Sequence, residues 1–252
     1  MELYQLIIAY DGTEYSGFQR QKDLSTVQGE LEKALRKIGW CGETILAAGR
    51  TDAGVHATGQ VVTFSHEWQH TLEELQAAVN HYLPNSISVK NVSLRQENFH
   101  PRYNAISREY TYGILVADSR DPQKERFMWR VDRDTDWEAV FCSAELFYGE
   151  HDFRSFGRPL SRGGSTIRTV TESKWIEQET GEYYYHITAN AFLYHMVRRI
   201  VFVMMALGCG RVKHEVLRQA MAAGNGGKIP PGIAPAHGLT LVKVQYNDNK
   251  ED

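Results

Sequence analysis

Residues 44–65, T-I-L-A-A-G-R-T-D-A-G-V-H-A-T-G-Q-V-V-T-F-S, place two β-rich runs in succession with no helical pattern between them. The first run, 44–48, is short; the second, Gln60–Ser65, carries Val61, Val62 and Phe64. β-branched and aromatic residues of this kind suit a pleated, half-buried surface. The connection holds Gly49, Gly54 and Gly59, with Arg50, Asp52 and His56 between them. Three ionisable groups between two strands cannot all face a core, so they are expected to face a cleft. A turn stabilised by the aspartate is the simplest use of such a D-x-G segment. A held carboxylate that does chemistry is the more specific one.

Working outward, helices flank the pair of strands. Residues 3–10 are mostly apolar and end at Asp11-Gly12, a strand followed by a turn. Ser25 and Gln28 stand at capping-box spacing, and Leu31, Leu35 and Ile38 repeat behind them, which predicts a helix over 26–38. Thr71 opens a second helix with Leu72, Leu75, Val79 and Leu83, stopped by Pro84. Residues 86–95 alternate as a strand. The order β-α-β-β-α-β then recurs. Glu109–Val116 reads as a strand, Thr135–Phe147 as a helix, and 166–176 with 182–190 as a hairpin through Thr180-Gly181. Helices over Phe192–Leu207 and Glu215–Ala223 and a closing strand over Leu239–Tyr246 complete it, with Gly224–Pro235 as a surface loop. The expectation is an α+β protein of two ferredoxin-like halves, 1–104 and 105–252, flanking a central catalytic cleft.

Bulk properties narrow the classes. A net charge of −3 over 252 residues gives no whole-molecule attraction for a polyanion, so any basic surface must be local. Cys41, Cys142 and Cys209 have no paired spacing, which argues against disulfides and for a reducing, cytoplasmic setting. The first ten residues carry an acid and no basic n-region, so no signal peptide is expected. The most apolar segment, Ala191–Leu207, contains Arg198 and Arg199, which speaks against a membrane span. No metal-ligand spacing, phosphate loop or nucleotide fingerprint is present in the sequence, so neither a metal nor a cofactor is expected.

Three further features carry chemistry. Arg198 lies on a helix that is apolar nearly all round and needs an anion if buried; Asp52 is the best candidate. Arg199 is expected to snorkel to water. Residues 99–112, F-H-P-R-Y-N-A-I-S-R-E-Y-T-Y, mix cations with aromatic faces suited to phosphates and unpaired bases. Tyr110 and Tyr112 share one strand face, so at least one belongs to a core. Residues 153–168 hold Arg154, Arg158, Arg162 and Arg168 with no acid among them, and are expected to form a mobile basic loop that meets a polyanion.

The block G-R-T-D-A-G-V-H-A-x-G-Q-V-V-x-F resembles the tRNA pseudouridine synthase A family. So do Y-D-G-T-x-Y-S-G-F-Q-R-Q (10–21), V-Q-G-x-L-E-x-A-L (27–35), F-H-P-R-Y-x-A-x-x-R-x-Y-x-Y (99–112), D-F-x-S-F (152–156), A-F-L-Y-H-M-V-R-R-I-V (191–201) and A-H-G-L-x-L-x-x-V-x-Y (236–246). The resemblance covers nearly the whole chain. It implies a cofactor-free and metal-free homodimer that isomerises uridine to pseudouridine at positions 38, 39 and 40 of the tRNA anticodon stem-loop. It makes Asp52 the catalytic aspartate, Tyr110 the tyrosine that stacks on the flipped-out target base, and Arg198 the arginine that pairs with the aspartate. It leaves open whether Asp52 adds covalently or takes a proton. Arg50 joins the substrate-binding set from the same loop, with Arg158 and Arg162 on the RNA backbone. The family pattern carries Trp where Phe18 stands, Ala where Pro101 stands and Gly where Phe202 stands. Those departures are expected to leave Asp52, Tyr110 and Arg198 untouched.

Two other classes share some of these features. A non-catalytic RNA-binding module has no use for a pinned Asp52, which repels phosphate. A metal-dependent phosphohydrolase built on Asp11, Asp52 and His56 predicts sensitivity to chelators and needs more carboxylates than can be placed beside them.

Overall fold

The computed structural model describes residues 1–132, 134–161, 163–222 and 229–247. The chain is α+β, with ten strands and five α-helices among the described residues. It forms two compact units, one of Met1–Ile106 together with the chain from Thr240 onward, the other of Ser107–Leu239.

In the first unit β1 (Glu2–Tyr10), α1 (Val27–Lys37), β2 (Leu46–Ala47), β3 (His56–His66), α2 (Leu72–Tyr82) and β4 (Ile87–Arg95) follow in that order. Strand β1 is central, antiparallel to β3 on one side and to β4 on the other, and β2 lies antiparallel to β3 at Leu46↔Thr63. The order 4-1-3-2 is the ferredoxin-like arrangement expected from the two consecutive strands. Leu31 and Leu35 of α1, and Leu75 and Val79 of α2, are spaced to share one face of each helix. That face is buried, as are Leu6, Ile8 and Val62 of the sheet. Thr26, rather than Ser25, caps α1, accepting from the Gly29 N–H at 3.3 Å. Gln28 is thereby freed from the expected capping box. At α2 a capping box does form between Thr71 and Glu74.

The closing strand departs from the expected division. Strand β10 (Leu239–Tyr246) does not stay with the second half; it runs parallel to β3, with Thr240↔His56 and Leu241↔Ala57 in register. Two features explain why it packs there. A Cβ on Gly59 would lie 2.1 Å from the Val242 carbonyl oxygen, so only glycine lets the two backbones come this close. The Tyr246 hydroxyl donates to the Pro101 carbonyl at 2.7 Å, and its ring packs on Phe99 at 5.0 Å. The N-terminal segment of the first unit ends at Ile106.

The second unit contains β5 (Ala105–Val116), β6 (Trp129–Val131), α3 (Trp137–Ala144), β7 (Gly149–Asp152), β8 (Ile167–Glu179), β9 (Glu182–Ala189), α4 (Met196–Gly208) and α5 (His214–Ala222). Strand β9 lies between β5 and β8, antiparallel to both, and β7 extends the sheet beyond β8. The β8–β9 hairpin turns at Gly181, whose φ is +83°. The predicted helix over Thr135–Phe147 is α-helical only to Ala144 and tightens to one 3₁₀ turn over Glu145–Phe147. Helices α3 and α4 approach closely at Gly208, where a Cβ would meet the Val140 side chain at 2.5 Å.

Tyr112 is the core member of the tyrosine pair. It is fully buried, and its hydroxyl donates to the Pro235 carbonyl at 2.8 Å. Tyr112→Phe keeps the packing and removes the donor, leaving that carbonyl short of a partner. The expected cost is about 1–2 kcal/mol, read as a lower unfolding midpoint in urea with an unchanged slope.

Candidate active site

Asp52 stands on the loop between β2 and β3, and its side chain is half-buried. The backbone around it is tightly specified. The Val55 N–H donates to the Asp52 carbonyl at 3.1 Å, closing a turn in which Gly54 takes φ +77°. A positive φ at the third position of such a turn favours glycine. One residue earlier, the Thr51 carbonyl accepts from the Phe18 N–H at 3.1 Å, and the Thr51 hydroxyl bonds the Tyr10 hydroxyl at 2.8 Å. At the loop's start, Gln60 Nε2 donates to the Gly49 carbonyl at 3.0 Å. The aspartate is therefore carried by a segment fixed at both ends.

The segment 10–18 forms the bed of this loop. A Cβ on Gly12 would lie 2.0 Å from the Val55 carbonyl oxygen, and one on Gly17, whose φ is +95°, 3.0 Å from the Thr51 carbonyl oxygen. The Gly12 N–H donates to Nδ1 of the buried His56 at 3.0 Å. Asp11 Oδ1 also lies 3.2 Å from that nitrogen and accepts from the Thr13 N–H and hydroxyl at 3.0 and 2.6 Å. His56 thus acts as a strut between β3 and the bed, its Nδ1 engaged by a backbone amide. Burial pushes the Tyr10 hydroxyl up to about 12, opposed by its bonds to Thr51 and Gln60, so it stays protonated at neutral pH. Arg50 is exposed beside the loop.

Phe18 is closer to this chemistry than its place among the family departures suggested. Its N–H holds Thr51, the neighbour of Asp52, and its buried ring lies 6.2 Å from that of Tyr10. Sequence inspection missed Tyr10, Phe18 and Thr51 as supports, although the first two sit in the quoted 10–21 block.

A second group of predicted residues lies in the other unit. Tyr110, half-buried on β5, meets Phe192 edge-on at 5.1 Å. Arg198 on α4 donates through Nε to the Ala234 carbonyl at 2.8 Å, and the Ala234 N–H returns a bond to the Arg198 carbonyl. Burial raises the Tyr112 hydroxyl far above its usual range, and the charge of Arg198 opposes that shift, which places the guanidinium's field at β5. Arg199 does not simply reach to water. It is half-buried and donates to the Gly232 carbonyl at 2.5 Å. Phe202 fills the space over Gly232, where a Cβ would stand 2.1 Å from its ring. The bulk of Phe202 is accommodated by a glycine opposite it.

The predicted helix over 192–207 begins only at Met196, because His195 takes φ +65° and Tyr194 pairs with Arg158 as an isolated β-bridge. This contact corrects the picture of residues 153–168. The loop is anchored: Phe153 and Phe156 are fully buried, and a Cβ on Gly157 would meet Leu193 at 2.7 Å. Arg154 has a counter-charge, Asp152, at 2.6 Å, one residue before the segment begins. Arg168 donates to the Ser165 and Ile167 carbonyls at 3.0 and 2.6 Å. Arg158 is exposed, its guanidinium 5.0 Å from the Tyr194 ring centre. Arg162 lies outside the described residues, as do residues 224–228 of the predicted Gly224–Pro235 loop.

The family profile described as tRNA pseudouridine synthase matches residues 6–104 and 143–247, which include the Asp52 loop, its bed and the whole of α4. The chain belongs to the tRNA pseudouridine synthase family. The tRNA pseudouridine synthase A of Fervidobacterium nodosum is 38% identical over 239 residues, covering 94% of this chain and 97% of that one. The tRNA pseudouridine synthase A of Chloroflexus aurantiacus is 38% identical over 251 residues, covering 98% and 89%. Among solved structures, a Cbf5-Nop10-Gar1 complex aligns at 12% identity with a TM-score of 0.42, over 96% of this chain and 48% of that one. That likeness is too distant to argue from. The synthase family membership rests on the first three.

Proposed function

We propose that this chain, an isomerase acting on tRNA by its family, converts uridine to pseudouridine at positions 38, 39 and 40 of the anticodon stem-loop, with Asp52 as the catalytic carboxylate. The observation that carries the reading is the fixed backbone on both sides of Asp52, from Gly49 to Val55. A turn kept only to reverse the chain needs no such bed, whereas a catalytic group must be held to within a fraction of an ångström.

The chemistry is balanced within one nucleotide. The N1–C1′ bond breaks, uracil turns, C5 bonds to C1′, the C5 proton leaves and N1 gains a proton. Bond breaking puts positive character on the ribose, which a fixed carboxylate stabilises or captures. The target base must leave its stack to be reached. Tyr110, half-buried and braced by Phe192, is proposed to stack on it. Stacking on one aromatic is worth about 1–3 kcal/mol, enough to help offset the unstacking. Arg198 is proposed to pair with Asp52, Arg50 to bind the substrate beside it, and Arg158 with Arg162 to grip the RNA backbone. The working form is proposed to be a cytoplasmic homodimer that uses no cofactor and no metal.

Release of label from C5 of uridine in tRNA tests the activity, since the product is an isomer and total mass is blind to it. Arg158→Ala is expected to weaken tRNA binding several-fold and to lower the slope of log Kd against log salt by about one. Filter binding across a salt series checks this. An unchanged slope removes Arg158 from the RNA footprint.

A further inference from the structure

Beneath the bed of the Asp52 loop lies a carboxylate that the reaction as described does not use. Glu32, on α1, is 0% exposed. A buried carboxylate is retained only where donors surround it. Here Oε1 accepts from Gln28 Nε2 at 2.9 Å, from the Thr44 hydroxyl at 3.2 Å and from the Ile45 N–H at 3.2 Å. Oε2 accepts from Arg20 Nη1 at 2.5 Å and lies 3.8 Å from Arg36 Nη2. Gln28 reinforces the junction. Its Oε1 accepts from the Arg20 N–H at 3.0 Å, and its Nε2 donates to Thr44 at 2.8 Å.

Three of these partners, Arg20, Thr44 and Ile45, belong to the two segments that carry Asp52. Arg20 stands two residues after Phe18, whose N–H holds the Thr51 carbonyl and whose own carbonyl accepts from the Gln28 N–H at 2.9 Å. Thr44 and Ile45 lead directly into β2 and then into Ala48–Asp52. One side chain therefore ties the bed to the arm that delivers the aspartate. We propose that Glu32 is a positioning residue for Asp52, clamping Arg20 and Ile45 so that the two segments keep their spacing. The proposal rests on the reading of Asp52 as the catalytic carboxylate.

The choice of acid over amide follows from the donor set. Every near neighbour presents a hydrogen, so Glu32→Gln must turn its NH₂ toward a donor: Arg20 in one orientation, Gln28 and the Ile45 N–H in the other. Gln28 cannot flip to compensate without losing the Arg20 N–H. Displacement of a reacting group by about 1 Å costs about a hundredfold in rate. Glu32→Gln is accordingly expected to slow single-turnover C5 release by about 10–100-fold per folded molecule, with tRNA Kd within twofold of wild type. Arg20, 47% exposed at the rim, gives a milder probe. Arg20→Ala should slow the step about 5–10-fold, and the double variant should be no slower than Glu32→Gln, because the two act through one contact.

Circular dichroism fixes the folded fraction of each variant, and Asp52→Asn is run beside them. Should Glu32→Gln not fold, Arg20→Ala decides alone. The proposal is overturned if the folded variants turn over within twofold of wild type while Asp52→Asn is inactive. It is overturned equally if Arg20→Ala weakens tRNA binding and leaves the rate unchanged, since Arg20 is then an RNA contact. If Asp52→Asn itself stays active, it is the reading of the site that fails.

Discussion

Asp52→Asn is expected to reduce C5 label release by roughly ten-thousand-fold or more, the scale on which loss of a nucleophile or its charged partner is felt. Asparagine preserves the size and shape of the side chain and removes its charge. The turn it sits in is closed by backbone atoms, the Val55 N–H and the Asp52 carbonyl, and the bed holds Thr51 through backbone and hydroxyl. These contacts are made by other atoms than the Asp52 carboxylate, so they are kept in the variant. tRNA affinity should stay within about twofold, because a carboxylate gives no attraction to phosphate. A variant that binds tRNA and releases label within tenfold of wild type takes the chemistry away from Asp52. One that loses binding as well points to a structural role for the charge. Single-turnover measurement with enzyme in excess separates these outcomes, since it reports the chemical step without product release.

The parts of the molecule that sequence made legible are those where one local rule decides. The strand pair around residues 44–65 fixed the β-α-β-β-α-β order of the first unit, and its helices lie within a residue or so of the predicted bounds. Where partners far apart in sequence decide, inspection fell short. Leu239–Tyr246 is plainly a strand, but its seat beside β3 depends on Gly59 and on the Tyr246–Pro101 bond. The short strands β6 and β7 carry too few residues for a period to show. Residues 192–195 look helical by hydropathy, yet the bridge from Tyr194 to Arg158 holds them extended and forces His195 to positive φ. The same long-range contact anchors a loop whose glycines suggested mobility. The candidate loop itself was legible in composition, and its supports were not. Tyr10 and Gly12 read as a strand end and a turn and Phe18 as a departure from the family pattern, and only their meeting with Thr51 and Val55 gives them a role.

Gly12 is the support whose change should be felt most. Its neighbour across the packed surface is the Val55 backbone: a Cβ would stand 2.0 Å from the carbonyl oxygen, 2.6 Å from the carbonyl carbon and 3.1 Å from the nitrogen. No rotamer relieves this, because all three atoms are main chain. Gly12→Ala must therefore push Val55 away by about 1 Å or more, to reach ordinary van der Waals separation. Val55 is the residue whose N–H closes the turn on the Asp52 carbonyl, so the shift passes directly to the aspartate. The same movement strains the bond from the Gly12 N–H to His56, which is buried. The expected outcome is a loss of about a hundredfold in single-turnover rate. A lower thermal midpoint should accompany it, and tRNA Kd should change by less than the rate does. The variant at Gly17 is predicted to be milder, because its Cβ approaches the Thr51 oxygen only to 3.0 Å and the main penalty is its φ of +95°. If Gly12→Ala folds and turns over at the wild-type rate, the position of Asp52 does not depend on the contact between the end of β1 and Val55, and the account of the bed as the element that holds the carboxylate is wrong.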